Sequence, residues 1–344
     1  MQAVVQDTYG TADVMQLRQI DMPSIGDGEV LIRIRAAGVN PADWAVMSGL
    51  PYVARPIYGL RKPKIGVRGT DVAGTIEAVG PGVTRFRVGD DVFGWCTGSY
   101  AEYAAASEGT LSLKPANLTF EQAATVPMAG MVALQAIRDH GKVRAGQTVL
   151  INGASGGIGT FAVQIAKSLG AHVTGVASTR NLDLVRSIGA DEVVDYTKED
   201  FTKSGRRYDV ILDNVANHSL SELRGALNPN GTLVPNGGNF GNRWLAGGGR
   251  VLSARLVSRF VSQTLRPFLV TQTLEDLDVL KELIEAGTLA PVLDRAFPLS
   301  DASQALRHVG EGHAQGKTVI TMAAPLAEAP VAATATPIVV GSAS

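Results

Sequence analysis

Residues 149–159 read VLINGASGGIG, and FAVQIAKSLG follows with apolar positions at helical spacing. An apolar strand that runs into clustered glycines and then into a helix leaves few folds open, because only small residues permit so abrupt a reversal. Ala154-Ser155-Gly156-Gly157-Ile158-Gly159 fits G-x-G-x-x-G with alanine in the first place. The first position is expected to permit the tight turn, Gly156 to let the backbone approach a pyrophosphate, and Gly159 to let helix and strand pack closely. The pyrophosphate would sit at the helix N-terminus, where free N–H groups and the helix dipole favour an anion. A tight turn between any strand and helix can look similar, so the surrounding chain has to decide.

The surrounding chain repeats the unit. Strands are expected at 148–152, 172–177, 192–195, 209–213 and 232–235, with helices at 157–169, 182–188 and 219–227. Repeated βα units imply a doubly wound α/β Rossmann domain with a parallel sheet, over residues 119–287. Its last helix, 273–286, is capped by Thr273 and stopped by Gly287, while 250–265 reads as neither helix nor strand. Residues 1–118 have another texture. VLIRIRA (30–36) alternates strictly, and GTDVAGTIEAVGPGVTRFRVGDDVFG continues with turn punctuation, which reads as an antiparallel β domain. From 288 the chain turns extended, passes a short helix at 301–309 and reaches KTVITM, returning to the first domain over 288–323. Residues 324–344, rich in Ala, Pro and Thr without a period, are expected to form a disordered tail.

Several classes of function drop out. The formal net charge is −1 and no basic block stands out, so nucleic acid is not an expected partner. No run of about 18 uncharged apolar residues suggests a membrane span. Cys96 is the only cysteine, which excludes an internal disulfide and any cysteine-rich zinc site. No secretory signal is evident at MQAVVQDTYG, and a cytoplasmic enzyme is expected. The five histidines form no ligand pattern, and no Ser/His/Asp set is found.

The second strand of the nucleotide fold bears on which dinucleotide fits. An NAD site usually has an acid about 20 residues past the glycines, for the ribose 2′-OH. Here the strand ends Gly175-Val176-Ala177-Ser178-Thr179-Arg180-Asn181, with no carboxylate to repel a phosphate. Ser178 offers a hydroxyl and Arg180 a charged fork, which reads as NADP(H). The alternative is that these residues only cap the next helix.

The segments AAGVNPADW, GTDVAGTIEAVGPGVTRFRVGDDVFG, AATVPMAGMVALQAI, GASGGIGTFAVQIAKSLGAHV, IGADEVVDY, YDVILDNV and GHAQGKTVI occur in one order. The chain thereby resembles the medium-chain dehydrogenase/reductase superfamily, in its zinc-free quinone-oxidoreductase branch, over residues 1–322. The resemblance implies a GroES-like β domain beside the Rossmann domain, with the active site in the cleft. Zinc alcohol dehydrogenases of this superfamily place a cysteine where this chain has Asn40 and His-Glu where it has Thr70-Asp71, so both metals of those enzymes are expected to be absent. Zinc there acts as a Lewis acid on a developing alkoxide. A quinone or an α,β-unsaturated carbonyl stabilises its own charge and needs less help. The resemblance also implies roles. Ser155, Gly157 and Ile158, beside the motif's Gly156, would meet the pyrophosphate, and Ser178, Arg180 and Tyr196 would surround the 2′-phosphate and its ribose. Asn214 and Val215 would border the adenosine side. Phe268, Leu269 and Val270 would run past the nicotinamide, and Asn40 would face the nicotinamide ribose or the substrate. Lys317 could close the cleft or be a solvated lysine.

The expected function is metal-free, NADPH-dependent hydride transfer to a quinone or enone, with the cofactor carrying the chemistry. Asn40, Asp43 and Tyr52 are the catalytic candidates. Each has a plainer reading: Asn40 and Asp43 as turn residues bonded to backbone, and Tyr52 as a packed or surface tyrosine. Two rival functions remain, an enoyl-thioester reductase using Tyr52 as acid and an NADPH-binding regulatory or scaffold protein with negligible turnover. Dimers are common in the family, so a homodimer is a further expectation.

Overall fold

Two large sheets and a small two-stranded one carry the described residues, and the way the large ones meet positions everything that follows. The structure, a computed structural model, describes residues 1–236, 244, 248–312 and 314–322. The expected tail, residues 324–344, lies outside the described residues.

In chain order the strands are β1 (Gln2–Val5), β2 (Gln16–Gln19), β3 (Glu29–Val39), β4 (Asp71–Val79), β5 (Asp91–Trp95), β6 (Tyr103–Ser107) and β7 (Leu111–Leu113). The nucleotide half adds β8 (Thr148–Asn152), β9 (His172–Ala177), β10 (Glu192–Asp195), β11 (Tyr208–Asp213), β12 (Leu227–Pro235) and β13 (Thr264–Leu265). Finally come β14 (Leu293–Pro298) and β15 (Lys317–Thr321). The six-stranded sheet runs β10-β9-β8-β11-β12-β13, and every neighbour pair in it is parallel. Counted from β8, that is the doubly wound order 3-2-1-4-5-6, whose direction reverses between β8 and β11. The chain at 250–265, ambiguous in sequence, forms a helix at Gly248–Val257 and then β13.

The seven-stranded sheet runs β14-β15-β3-β4-β5-β7, with β6 also paired to β3. It is antiparallel except for β14 and β15, which are parallel. That exception has a cause: the helix Ala302–Gly310 crosses over between the two strands, as a parallel pair requires. This sheet and a hairpin of β1 and β2 form the GroES-like half.

The first half also contains a helix, Pro41–Ser48, where the sequence suggested only a turn. Its signal is local. Asn40 stands at the N-cap, Pro41 at the first helical position, and the Asp43 carboxylate accepts from the Asn40 N–H at 2.8 Å. Asp43 is therefore a first-turn helical residue, 6% exposed. The helix Pro127–Leu134, buried along its length, packs against both halves of the molecule.

Candidate functional site

Three adjacent strands bring distant residues together. β15 is antiparallel to β3 in a register that pairs Thr318 with Val39, and β4 pairs Asp71 with Gly38. Lys317, Asn40 and Asp71 therefore meet at one end of the sheet, although they stand far apart in sequence. All three are buried, at 4%, 3% and 0% exposure. The Asn40 amide bridges the two charges: its Nδ2 donates to Asp71 Oδ2 at 3.0 Å, and its Oδ1 accepts from Lys317 Nζ at 2.5 Å. Lys317 Nζ donates a second bond to Val39 O at 2.9 Å. An ammonium has three donors, so one is left over. Asp71 Oδ2 also faces the N-terminus of the Pro127–Leu134 helix, accepting from Met128 N at 3.3 Å, where a carboxylate is favoured. Its Oδ1 is buried with no protein partner among the described residues.

Burial governs the electrostatics. It pushes the Asp71 carboxyl up, against the pull of Lys317, and pulls the Lys317 ammonium down, against Asp71 and Asp43. Burial also pushes Asp43 up to about 6, opposed by the bonds from Asn40 N–H and from Tyr100 Oη, which donates to Asp43 Oδ2 at 2.9 Å. Arg68, 7% exposed, lies in the field of the same carboxylate, and its Nε and Nη2 have no partner among the described residues.

The glycine loop closes onto this cluster. The Lys317 stem lies against Gly157, where a side chain's first carbon would come within 2.8 Å of Lys317 Cδ. Gly316 N donates to Ser155 O at 2.8 Å, and Gly156 and Gly316 form a parallel bridge. The tight turn belongs to Gly153, whose φ is +81°, and not to Ala154 as the motif alignment suggested; Ala154 is wholly buried in the core. Gly159 behaves as expected. A Cβ there would fall 2.1 Å from Gly153 O, so helix and strand can pack only around a glycine. Gly156 has only Gly153 O near its missing Cβ, at 3.5 Å, so no packing demand explains it. The first intrahelical bond after the loop is Thr160 N to Gly156 O, and the Gly157 N–H is turned to Gly316 O by the bridge, which leaves the Ile158 and Gly159 N–H groups for an anion.

Beyond the loop, Ser155 Oγ accepts from Asn181 Nδ2 at 3.0 Å, tying the loop to the end of β9. Ser178 makes no side-chain capping bond, so its hydroxyl is not used to start the next helix. The nearby carboxylate, Asp195, is also committed. Thr179 Oγ1 donates to it at 2.5 Å and Thr197 Oγ1 at 2.7 Å, and these bonds hold it well below the usual carboxylate range. Asn181 Oδ1 and Asn214 Nδ2 are buried and lack partners among the described residues. Two orphaned polar atoms flanking a glycine loop fit a dinucleotide. A cavity of about 350 Å³ opens at the carboxyl ends of β8 and β9, with Asn152, Val176, Tyr196 and His218 among its walls.

Residues 26–116 match the alcohol dehydrogenase GroES-like domain family, and residues 188–320 match the zinc-binding dehydrogenase family. The mitochondrial NAD(P)H oxidoreductase RTN4IP1 of Homo sapiens is 35% identical over 359 residues, which cover 94% of this chain and 89% of that protein. The chain belongs to the medium-chain dehydrogenase/reductase superfamily, on its quinone-oxidoreductase-like branch. The chloroplastic NADPH-dependent alkenal/one oxidoreductase of Arabidopsis thaliana is 33% identical over 339 residues, covering 93% of this chain and 79% of its own. Among solved structures, the quinone oxidoreductase of Coxiella burnetii superposes with a TM-score of 0.82 at 29% identity, covering 93% of this chain and 99% of that one. The medium-chain dehydrogenase/reductase fold accounts for both halves, and the chain is an oxidoreductase of the NAD(P)H-dependent quinone-oxidoreductase-like family.

Within this superfamily fold the remaining candidates scatter. Ile158 is half-buried and packs against the core. Arg180 is exposed beyond β9, and Tyr196 is 58% exposed. Asn214 Oδ1 accepts from Asn236 Nδ2 at 2.8 Å, and Val215 follows on the surface after β11. Phe268 stacks on His140 with centroids 4.2 Å apart, Val270 packs against the core, and Leu269 is 90% exposed. Tyr52 sits under the Arg55 guanidinium, 4.7 Å from its ring centroid, and meets Trp244 edge to face at 5.2 Å. Lys317 is not a solvated lysine, and Asn40 does not bond to backbone alone. Asp71, noted in sequence only as the place of a missing metal ligand, is a member of the cluster in its own right. Tyr100 and Asn181 carried no signal that sequence could expose.

Proposed function

We propose that this chain reduces quinones and α,β-unsaturated carbonyls with NADPH and without a metal. The observation that carries the reading is the buried Lys317 ammonium, bonded to Asn40 and lodged against Gly157 of the dinucleotide loop.

The donor set does not suit zinc. The amide oxygen of Asn40 is already taken by an ammonium 2.5 Å away, which would repel a dication. Asp71 Oδ2 accepts two hydrogen bonds. Burial, with the Asp71 charge adding to it, pushes the Cys96 thiol up to about 12, so it is not a ready thiolate ligand. Fixed positive charge comes instead from Lys317, whose remaining donor can meet a substrate oxygen or a ribose hydroxyl.

For the cofactor, the N–H groups of Ile158 and Gly159 would take the pyrophosphate, and Ser178, Arg180 and Tyr196 the 2′-phosphate. NADPH over NADH rests on the missing acid at the end of β9 and on the commitment of Asp195. Bound there, the dihydronicotinamide supplies the hydride. The protein's own part is to orient, exclude water and stabilise charge. Asn40 holds Lys317 and Asp71 apart in fixed geometry, and the helix Pro127–Leu134 offsets Asp71. Asp43, displaced towards neutrality, is the group able to hold a proton near the site. The acceptor class follows from a weaker electrophile than zinc and accords with the names of two relatives, a quinone and an alkenal/one oxidoreductase.

Residues 1–118 with 288–323, and 119–287, act in this reading as the two halves of the site. A reducing compartment, the cytoplasm, suits the single buried thiol, and a second copy could extend the sheet at β13. Absorbance at the nicotinamide band, followed with NADPH or NADH and a panel of quinones, enones and primary alcohols, tests the reading. Turnover of quinones or enones with NADPH, and little with alcohols, is expected. No turnover above background with any acceptor would favour a binding or scaffold role.

A further inference from the structure

The chain's carboxylates are unevenly spread. None lies between Asp43 and Asp71, where Arg55, Arg61, Lys62, Lys64 and Arg68 fall, and none lies between Glu222 and Glu275, a stretch holding six arginines. The two stretches touch where the halves of the molecule meet: Val53 N donates to Trp244 O at 3.3 Å, and the rings of Tyr52 and Trp244 are in contact.

Arg55 is stacked between Tyr9 and Tyr52, at 4.8 and 4.7 Å from their centroids, and Arg68 is interior. Arg61, Lys62 and Lys64 are exposed, and none forms an ion pair among the described residues. Between them and the tyrosines stand three apolar side chains turned to water: Val53 at 60% exposure, Ile57 at 73% and Leu60 at 70%. Pro56 and residues 59–64 line an open depression of about 710 Å³. The face is thus apolar and cationic at once, and among the described residues no carboxylate pairs with its three exposed cations.

That combination selects an occupant. A second copy docked about a twofold axis would set these cations against themselves. An acidic soluble protein would match the charge, but it would also have to bring an apolar patch ringed by carboxylates to meet the three aliphatic side chains. An anionic bilayer supplies both, a negative surface for the cations and an acyl boundary for the aliphatics. We propose that the face spanning Val53 to Lys64 docks this protein on an anionic membrane surface. This is surface attachment: no helix among the described residues is long and apolar enough to cross a membrane. Lipophilic acceptors dissolved in the bilayer would then lie beside the seam between the halves. The docking goes beyond the functional reading above and stands without it, because its readout is binding and not turnover.

Co-sedimentation of the full chain with vesicles tests it. One set is phosphatidylcholine alone, the other an equal mixture of phosphatidylcholine and phosphatidylglycerol. The chain should bind the mixed vesicles, release them as salt is raised, and ignore phosphatidylcholine. Each basic side chain at such a surface is worth roughly fivefold in binding. Arg61→Glu with Lys62→Glu should therefore lower it by at least about twenty-fold, with the melting temperature and turnover of a water-soluble quinone unchanged. Ile57→Ser with Leu60→Ser should weaken binding without altering its salt dependence. Failure of the wild-type chain to bind mixed vesicles overturns the proposal. So does equal binding by the charge-reversed variant. A variant that instead shifts the NADPH Kd, with vesicle binding intact, would make the face an electrostatic guide for the cofactor. A change in oligomeric state without vesicle binding would make it a contact between copies.

Discussion

The glycine loop and the Lys317 cluster adjoin each other and are built in opposite ways. The loop works by having almost no side chains: Gly156, Gly157 and Gly159 clear space, and the Ile158 and Gly159 N–H groups have no intrahelical partner. The cluster works chiefly through side chains, with an ammonium, an amide and two carboxylates shut away from water and pinned to the main chain at Val39, Met128 and Asn40. A site made of absences can be read along the chain, since its residues are consecutive. A site made of buried charges is assembled by sheet register, through the pairing of β15 with β3 and of β3 with β4. It also has to satisfy itself internally, because a buried charge without partners costs several kcal/mol.

The largest expected effect comes from breaking the bridge in the cluster. Asn40→Ala removes the amide that holds both Lys317 and Asp71, and kcat/KM should fall by about ten- to a thousand-fold, the upper end matching loss of an oxyanion donor. If the variant loses thermal stability but turns over fully per folded molecule, the cluster is a structural support and not part of the site.

Within the loop, two glycines should separate packing from binding. Gly159→Ala forces a Cβ to within 2.1 Å of Gly153 O. It should cost about 1–3 kcal/mol or more of stability in denaturant unfolding. Gly156→Ala meets nothing closer than 3.5 Å, so its stability should hold while NADPH affinity falls. Equal stability losses in the two would mean that the loop is only a turn.

That contrast shows why the two regions differed in legibility. β8, β9 and β10 lie where strand periodicity and glycine punctuation put them, because each is a local pattern. β13 and the helix before it were not legible, since 250–265 keeps neither period. The helix Pro41–Ser48 was written plainly as Asn-Pro-x-Asp, and its cap pattern was mistaken for a turn. Tyr100 and Asn181 are different in kind. A buried tyrosine bonded to Asp43, and an asparagine bonded to Ser155, look in sequence like any other, and only the fold makes them neighbours.

Cofactor choice should show a smaller effect. Arg180→Ala deletes a charge-assisted bond of about 1.5–3 kcal/mol, so the NADPH KM should rise about tenfold or more while NADH is almost untouched. Equal losses with both cofactors would remove Arg180 from the 2′-phosphate.

The smallest effect is in pH. The folded carboxyl of Asp43 lies above its unfolded value of 3.8, at about 6, so the stability it contributes is present below 3.8 and lost as pH rises through about 6. Asp71, Lys317, Arg68 and Tyr100 surround it and are shared by the variant, so the difference between the chains isolates Asp43. Asp43→Asn should flatten a decline of a few degrees in melting temperature across that window. Parallel curves for the two chains would show that Asp43 does not titrate there.

The central claim is that the buried Lys317, held by Asn40, and not a metal supplies the positive charge of the proposed site. Elemental analysis of the purified chain, paired with NADPH–quinone turnover before and after exhaustive chelation, tests it most directly. The account predicts no stoichiometric zinc and unchanged turnover. About one zinc per chain, with activity lost on chelation and restored by zinc, would contradict it.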